Sequence, residues 1–104
     1  MISDQAIQEI SNQIAKEFSP QKIILFGSYA RKEANEDSDL DLMVIMNFTG
    51  SSFKKSLEVL NKVNPKVPVD LIVRNESDFN ERILAGDPFI LDILETGEVL
   101  YEHH

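Results

Sequence analysis

The sequence predicts an α/β (α+β) domain in which a small mixed β-sheet carries helices packed against it. Three observations predict it. Two short apolar runs, Ile23-Ile24-Leu25-Phe26 and Leu42-Met43-Val44-Ile45-Met46, are rich in β-formers and too short for stable helices. Longer stretches with apolar residues at helical spacing precede and follow them. Pro, Gly and Asn punctuate the joins, and no internal repeat, low-complexity tract or interdomain linker interrupts the order α-β-(α)-β-α-β-α-(β).

Each element has a local reason. Ile7, Ile10, Ile14 and Phe18 recur at helical spacing from Asp4 to Phe18, with Ser3 as N-cap and Ser19-Pro20 as the stop. Lys22 to Phe26 reads as a buried strand. Gly27-Ser28 turns the chain, Ser28 to Lys32 forms a short helix, and the polar Glu33 to Ser38 is a loop. Asp39 to Met46 is the second strand. Thr49-Gly50-Ser51-Ser52 caps a helix whose apolar stripe is Phe53, Leu57, Leu60 and Val63, closed by Asn64-Pro65. Val67 to Val73 is the third strand, with Pro68 at its start or on an edge because proline lacks a backbone donor. Ser77 caps a helix carrying Phe79, Ile83 and Leu84. Asp87 as N-cap and Pro88 as first helical residue start another through Leu94, and Gly97 ends it. Val99 to Tyr101 adds a short last strand. Phe89, Ile90 and Leu91 give that last helix more apolar surface than a small sheet needs. Core packing is the first expectation for it, and a partner interface the second.

The 104 residues suit one compact domain, read as residues 1–102, with His103-His104 set apart as the stub of a purification tag. A hydrophobic content of 42% is ordinary for a globular chain and argues against disorder. No apolar stretch approaches the ~20 residues needed to cross a bilayer, and the polar, acidic N-terminus does not read as a signal peptide. The absence of Cys excludes disulfides and thiolate zinc sites, so a cytoplasmic setting is the simplest expectation. A formal net charge of −8 argues against direct DNA or RNA binding, which draws its affinity from Lys and Arg on phosphates. It suits metal ions or a cationic partner, or simply solubility.

The chemistry concentrates in Gly27-Ser28 and, after ten intervening residues, Asp39-Leu40-Asp41. Gly27 lets backbone approach a phosphate, Ser28 offers a hydroxyl and an N–H, and Arg31 adds a charge-assisted contact. A helix starting here would favour the same anion at its positive end. The loop is not a Walker A motif, since G-x-x-x-x-G-K-[ST] is absent. Asp39 and Asp41 are two apart, so in a strand both carboxylates leave one face while Leu40, Leu42 and Val44 take the other. Neighbouring acids repel, and a bound Mg²⁺ or Mn²⁺ removes that cost. Asp70, within the apolar Val67–Val73 run, is expensive there unless paired or metal-bound. If its strand lies beside the second, it completes a three-carboxylate cluster able to hold two metals and activate a hydroxyl for attack on phosphorus. Taken singly, Gly-Ser is a turn, Asp-x-Asp a solvated strand end, Asp70 an edge residue facing water and Arg31 a surface residue. Their order, each beside its own β-run, points to phosphate and metal.

Gly27-Ser28-Tyr29-Ala30-Arg31 followed by Ser38-Asp39-Leu40-Asp41-Leu42 resembles the signature of the nucleotidyltransferase superfamily that includes DNA polymerase beta. The brevity of the chain and its Gly97-Glu98-Val99-Leu100-Tyr101 ending resemble the minimal, single-domain branch, which includes the MntA-type antitoxins encoded beside HEPN-domain toxins. The resemblance covers about Ile7 to Tyr101. It implies a nucleotidyltransferase fold, with Gly27 and Ser28 cradling the triphosphate and Asp39 and Asp41 ligating Mg²⁺. Asp70 would join the metal cluster and help deprotonate the acceptor. It also implies ATP as donor and a tyrosine of a HEPN toxin as acceptor of AMP. Lys32 departs from the pattern, because many relatives have a second Gly after the arginine. A side chain there is expected to narrow the loop or alter donor contacts.

Two other functions stay open. The domain could bind and mask its HEPN partner without chemistry, its acidity suiting a basic RNase surface. It could instead transfer a nucleotide to a small molecule, as aminoglycoside-modifying relatives do, although those carry extra helices for the acceptor. The oligomeric state, homo- or hetero-, is open at this point.

Overall fold

A computed structural model describes all residues, Met1–His104. Helix α1 (Asp4–Phe18) leads into strand β1 (Lys22–Phe26), the single-turn α2 (Gly27–Ala30) and strand β2 (Leu40–Ile45). Then come α3 (Ser52–Val63), β3 (Val69–Arg74), α4 (Glu76–Leu84), α5 (Pro88–Thr96) and β4 (Glu98–Glu102). The four strands form one mixed sheet in the order β3-β2-β1-β4. β1 runs antiparallel to β2 and β4, and β2 runs parallel to β3, the crossover being α3.

The central strands β1 and β2 are buried on both faces, which is why their sequences are continuously apolar rather than alternating. Ile23, Leu25, Leu40, Leu42 and Val44 pack with Ile7, Ile10 and Ile14 of α1 and Val59 of α3. Ile24, Phe26, Met43 and Ile45 pack on the other side with Phe79 of α4 and Ile90 and Ile93 of α5. The domain is thus a helix–sheet–helix sandwich, as the order of elements implies. No helix is long and apolar enough to cross a membrane.

Caps form where the short polar residues stand. The Ser3 side chain accepts from Ala6 N–H and that of Ser51 from Lys54 N–H, while Asp87 accepts from Phe89 and Ile90 N–H. Ser19 and Asn64 end their helices in the left-handed region. One cap differs from expectation. Asn75, not Ser77, precedes α4, and its side chain serves another purpose by accepting from Phe48 N–H at 3.0 Å. The strand bounds also move: β2 starts at Leu40, β3 at Val69, and β4 runs from Glu98 to Glu102.

The expected stripe of α3 is only half right. Val59 is fully buried and Leu60 and Val63 are half-buried, but Phe53 is 71% and Leu57 44% exposed. The seam of α3 runs through Ser52, Ser56, Val59 and Val63. Ser56 bonds back to the Ser52 carbonyl at 2.9 Å, and the Ser52 hydroxyl donates to the Val73 carbonyl. Small residues on that seam bring the helix close to the sheet and leave Phe53 and Leu57 overhanging β3. On α5, Ile90 is core as expected, but Phe89 and Leu91 are exposed. A two-turn helix presents one face to the sheet, and Ile90 and Ile93 fill it. Leu84, at the end of α4, is exposed as well.

Candidate active site

Every residue singled out for chemistry lies at one end of the sheet. β1 ends at Phe26, paired with Asp41 near the start of the antiparallel β2. Asp41 is in turn the register partner of Asp70 near the start of the parallel β3. Strand direction therefore delivers the Gly27 turn and two carboxylates to the same place. The pleat sets their face. Leu40, Leu42, Leu71 and Val73 belong to the α1/α3 core, so Asp41 and Asp70 share the opposite face with Met43 and Ile72.

Asp39 precedes β2 and is exposed, so the pleat argument reaches Asp41 only. Its charge nevertheless acts on Asp41. The Asp41 carboxyl is held above the ordinary carboxylate range, first by burial, then by the negative charges of Asp70 and Asp39. Arg31, whose guanidinium pairs with Glu33 at 3.4 Å, pulls the other way. Asp70 corrects one expectation. β3 is an edge strand and Asp70 is exposed, so solvation rather than pairing lets it stand in an apolar run.

The turn is built against Asp41. Gly27 has φ +74°, the left-handed region, and a Cβ placed on it would run into the Asp41 carboxylate, lying 3.1 Å from Cγ. Single-turn α2 then closes on itself: Arg31 N–H donates to the Gly27 carbonyl at 3.1 Å and Glu33 N–H to the Ser28 carbonyl at 2.9 Å. Tyr29 is buried, and its hydroxyl accepts from Ile2 N–H at 3.0 Å. It ties the turn to the chain before α1. Its signal was available, since an aromatic one residue after a Gly-Ser turn has an apolar body to bury and a polar tip to satisfy.

Lys32 has φ +62°, which explains why glycine suits this position. Lys32 is exposed. It lines a small groove with Asp4, Leu25, Glu98 and Leu100, on the α1 side of the sheet.

None of the chain's eight ion pairs involves Asp39, Asp41 or Asp70. The carboxylates also do not converge into a ready cage of three or more ligands. Unpaired, mutually repelling oxygen donors fit a hard divalent ion that takes one or two protein carboxylates and completes its shell with phosphate and water. They do not fit an all-protein metal site.

Comparisons with known proteins bear on the family and the fold. Residues 8–104 match the family model for polymerase beta-type nucleotidyltransferases. A candidate protein adenylyltransferase of Methanocaldococcus jannaschii is 34% identical over 105 residues, spanning 97% of this chain and 100% of the relative. A crystal structure of a candidate nucleotidyltransferase from Sulfolobus solfataricus shares the fold at TM-score 0.59 and 22% identity, covering 74% of this chain and 70% of that one. A crystal structure of a toxin–antitoxin with AMP-PNP shares it at TM-score 0.60 and 17% identity, covering 93% and 74%.

Proposed function

The chain belongs to the polymerase beta nucleotidyltransferase family, and from that premise we propose that it transfers AMP from ATP to a tyrosine hydroxyl of a HEPN-type partner toxin, so acting as its antitoxin. The observation that carries the chemistry is the register pair Asp41–Asp70 beside the Gly27 turn. The relative named for protein adenylylation supports a protein acceptor, and the toxin–antitoxin of similar fold supports the partner.

Asp39, Asp41 and Asp70 would supply the carboxylates for Mg²⁺, no more than two to any one ion, and the bound ion would offset part of the triphosphate charge. Gly27 and Ser28 present backbone and hydroxyl to the phosphates, and Arg31 adds a cation on the same side. Asp70, exposed on the edge strand, is the carboxylate open to an acceptor from outside. The acceptor oxygen attacks the α-phosphorus and a new P–O bond forms. The bond from that phosphorus to the oxygen bridging to the β-phosphate breaks, and pyrophosphate leaves with the electron pair. The hydroxyl proton passes to Asp70.

The test is incubation with α-labelled ATP, Mg²⁺ and a HEPN toxin encoded beside this chain. Label on a toxin tyrosine, lost in the Asp39→Ala/Asp41→Ala variant, is expected. No label, or label that survives the variant, overturns the reading. Full neutralisation of the toxin by a variant with all three Asp changed to Ala would instead establish inhibition by masking.

A further inference from the structure

β3 is an edge of the sheet, and its hydrogen bonds define what that edge offers. Leu40 N–H donates to the Pro68 carbonyl and Met46 N–H to that of Arg74, so the even-numbered residues of this parallel pair bond β2. The odd-numbered Val69, Leu71 and Val73 turn their backbone groups outward. Ser52 takes the Val73 carbonyl, and Pro68 bounds the other end. Between those limits an open stretch of backbone runs beneath Phe53 and Leu57, and the groove they form with the strand includes Asp70. The opposite edge, β4, is blunted. It carries Glu98 and Glu102, and its pairing with β1 is irregular between Ile23 and Ile24.

We propose that the β3 edge receives the acceptor: an extended segment of the modified protein adds as a further strand, with apolar residues on either side of its tyrosine. The occupant follows from the pleat and from continuity with the carboxylate pair. An added strand lies about 4.8 Å from β3, and its alternate side chains take opposite faces. A tyrosine opposite Asp70 points to the face of Asp70 and Asp41. The residues before and after it point to the other face, under Phe53 and Leu57. Backbone bonds to Val69 and Leu71 fix the depth of the hydroxyl, and the two overhanging side chains select its neighbours. The inference rests on the transfer reading above for the identity of the acceptor, and on the edge alone for the docking.

The probe is the peptide acetyl-Lys-Val-Val-Tyr-Val-Val-Lys-amide, supplied with Mg·ATP to the whole chain. Hydrogen exchange is expected to show the Leu71 and Val73 amides protected about tenfold or more in the presence of peptide. Label from α-labelled ATP is expected on the tyrosine. N-methylation of alternate peptide residues abolishes binding in one parity and spares the other, because only one set of N–H groups faces β3. Phe53→Ser and Leu57→Ser raise KM for the peptide more than they lower kcat. Transfer without protection of Leu71 and Val73, or with equal tolerance of all N-methyl positions, overturns the docking and leaves the transfer reading intact. Protection without transfer upholds the docking and overturns the transfer reading. Neither overturns the docking. A peptide-free dimer with the Leu71 amide already protected also overturns it, since the edge then belongs to a second copy.

Discussion

Gly27 and Asp41 share one small volume at the end of the sheet. The turn passes so close to β2 that the Asp41 carboxylate occupies the space where any other residue at 27 would place its Cβ. Gly27 is therefore needed twice, for its φ of +74° and for the missing side chain. Gly27→Ala is expected to cost about 1–3 kcal/mol, a fall of roughly 5–20 °C in Tm for a chain of this size. The two causes separate in a double-mutant cycle. With Asp41→Ala the carboxylate is gone, leaving the backbone strain and a 3.3 Å approach to the Cβ at position 41, so the pair should cost less than the sum. Additivity within about 0.5 kcal/mol would show that Asp41 does not limit the turn.

Asp41 is also where function opposes stability. Half-buried beside Asp70 and Asp39, it is ionised against a penalty that the folded chain carries at neutral pH. Asp41→Asn removes the charge and retains the shape. Discounted for its solvent exposure, the gain is about 0.5 kcal/mol, or roughly 2–4 °C in Tm. The same variant should lose nucleotide transfer and the rise in Tm that Mg·ATP gives the parent. A variant less stable than the parent in calorimetry would count against uncompensated repulsion.

Central strands and well-capped helices are legible in this sequence because burial on both faces, or a cap followed by a strict period, leaves one physical solution. The runs at Ile23 and Leu42, and α1 from Ser3 to Phe18, are of this kind. The site is legible in part for the same reason. Pleat and strand direction put Asp41 on one face and Gly27 at its end. The Asp41–Asp70 register is not legible, since it depends on how α3 closes the crossover. Nor is the seat of α3, where Ser52 and Ser56 face the sheet and Phe53 does not. Close approach of small residues outweighed the hydrophobic stripe, and only the packed structure reveals which seam wins.

Lys32 separates backbone need from side-chain function. Its φ of +62° makes Lys32→Gly favourable to the folded backbone, while glycine's freedom in the unfolded chain opposes the gain. The expected net change is within about 1 kcal/mol. Because Lys32 lines a groove with Asp4 and Glu98, nucleotide transfer should stay within about twofold of the parent, less than 0.5 kcal/mol in the barrier. A tenfold change in the KM for ATP would mean that the ammonium reaches the phosphates after all.

The junction of α4 and α5 gives a pH-dependent prediction. Arg82 donates to Asp87 at 3.0 Å and also bonds Asp78, while the other oxygen of Asp87 caps α5 through Phe89 and Ile90 N–H. The Arg82 hydrogen bond is the main reason the Asp87 carboxyl sits below the ordinary range, the cap bonds adding to it. A carboxyl depressed in the folded state binds its proton first in the unfolded chain. Its contribution is therefore complete above the ordinary carboxylate value of about 3.9 and disappears as pH falls through the lower folded value. Asp87→Asn keeps a competent N-cap and removes the charge. Its Tm should lie below the parent's at pH 7, with the gap closing in acid and narrowing in concentrated salt. A gap unchanged by both acid and salt would assign the loss to altered capping geometry rather than to the Arg82 pair.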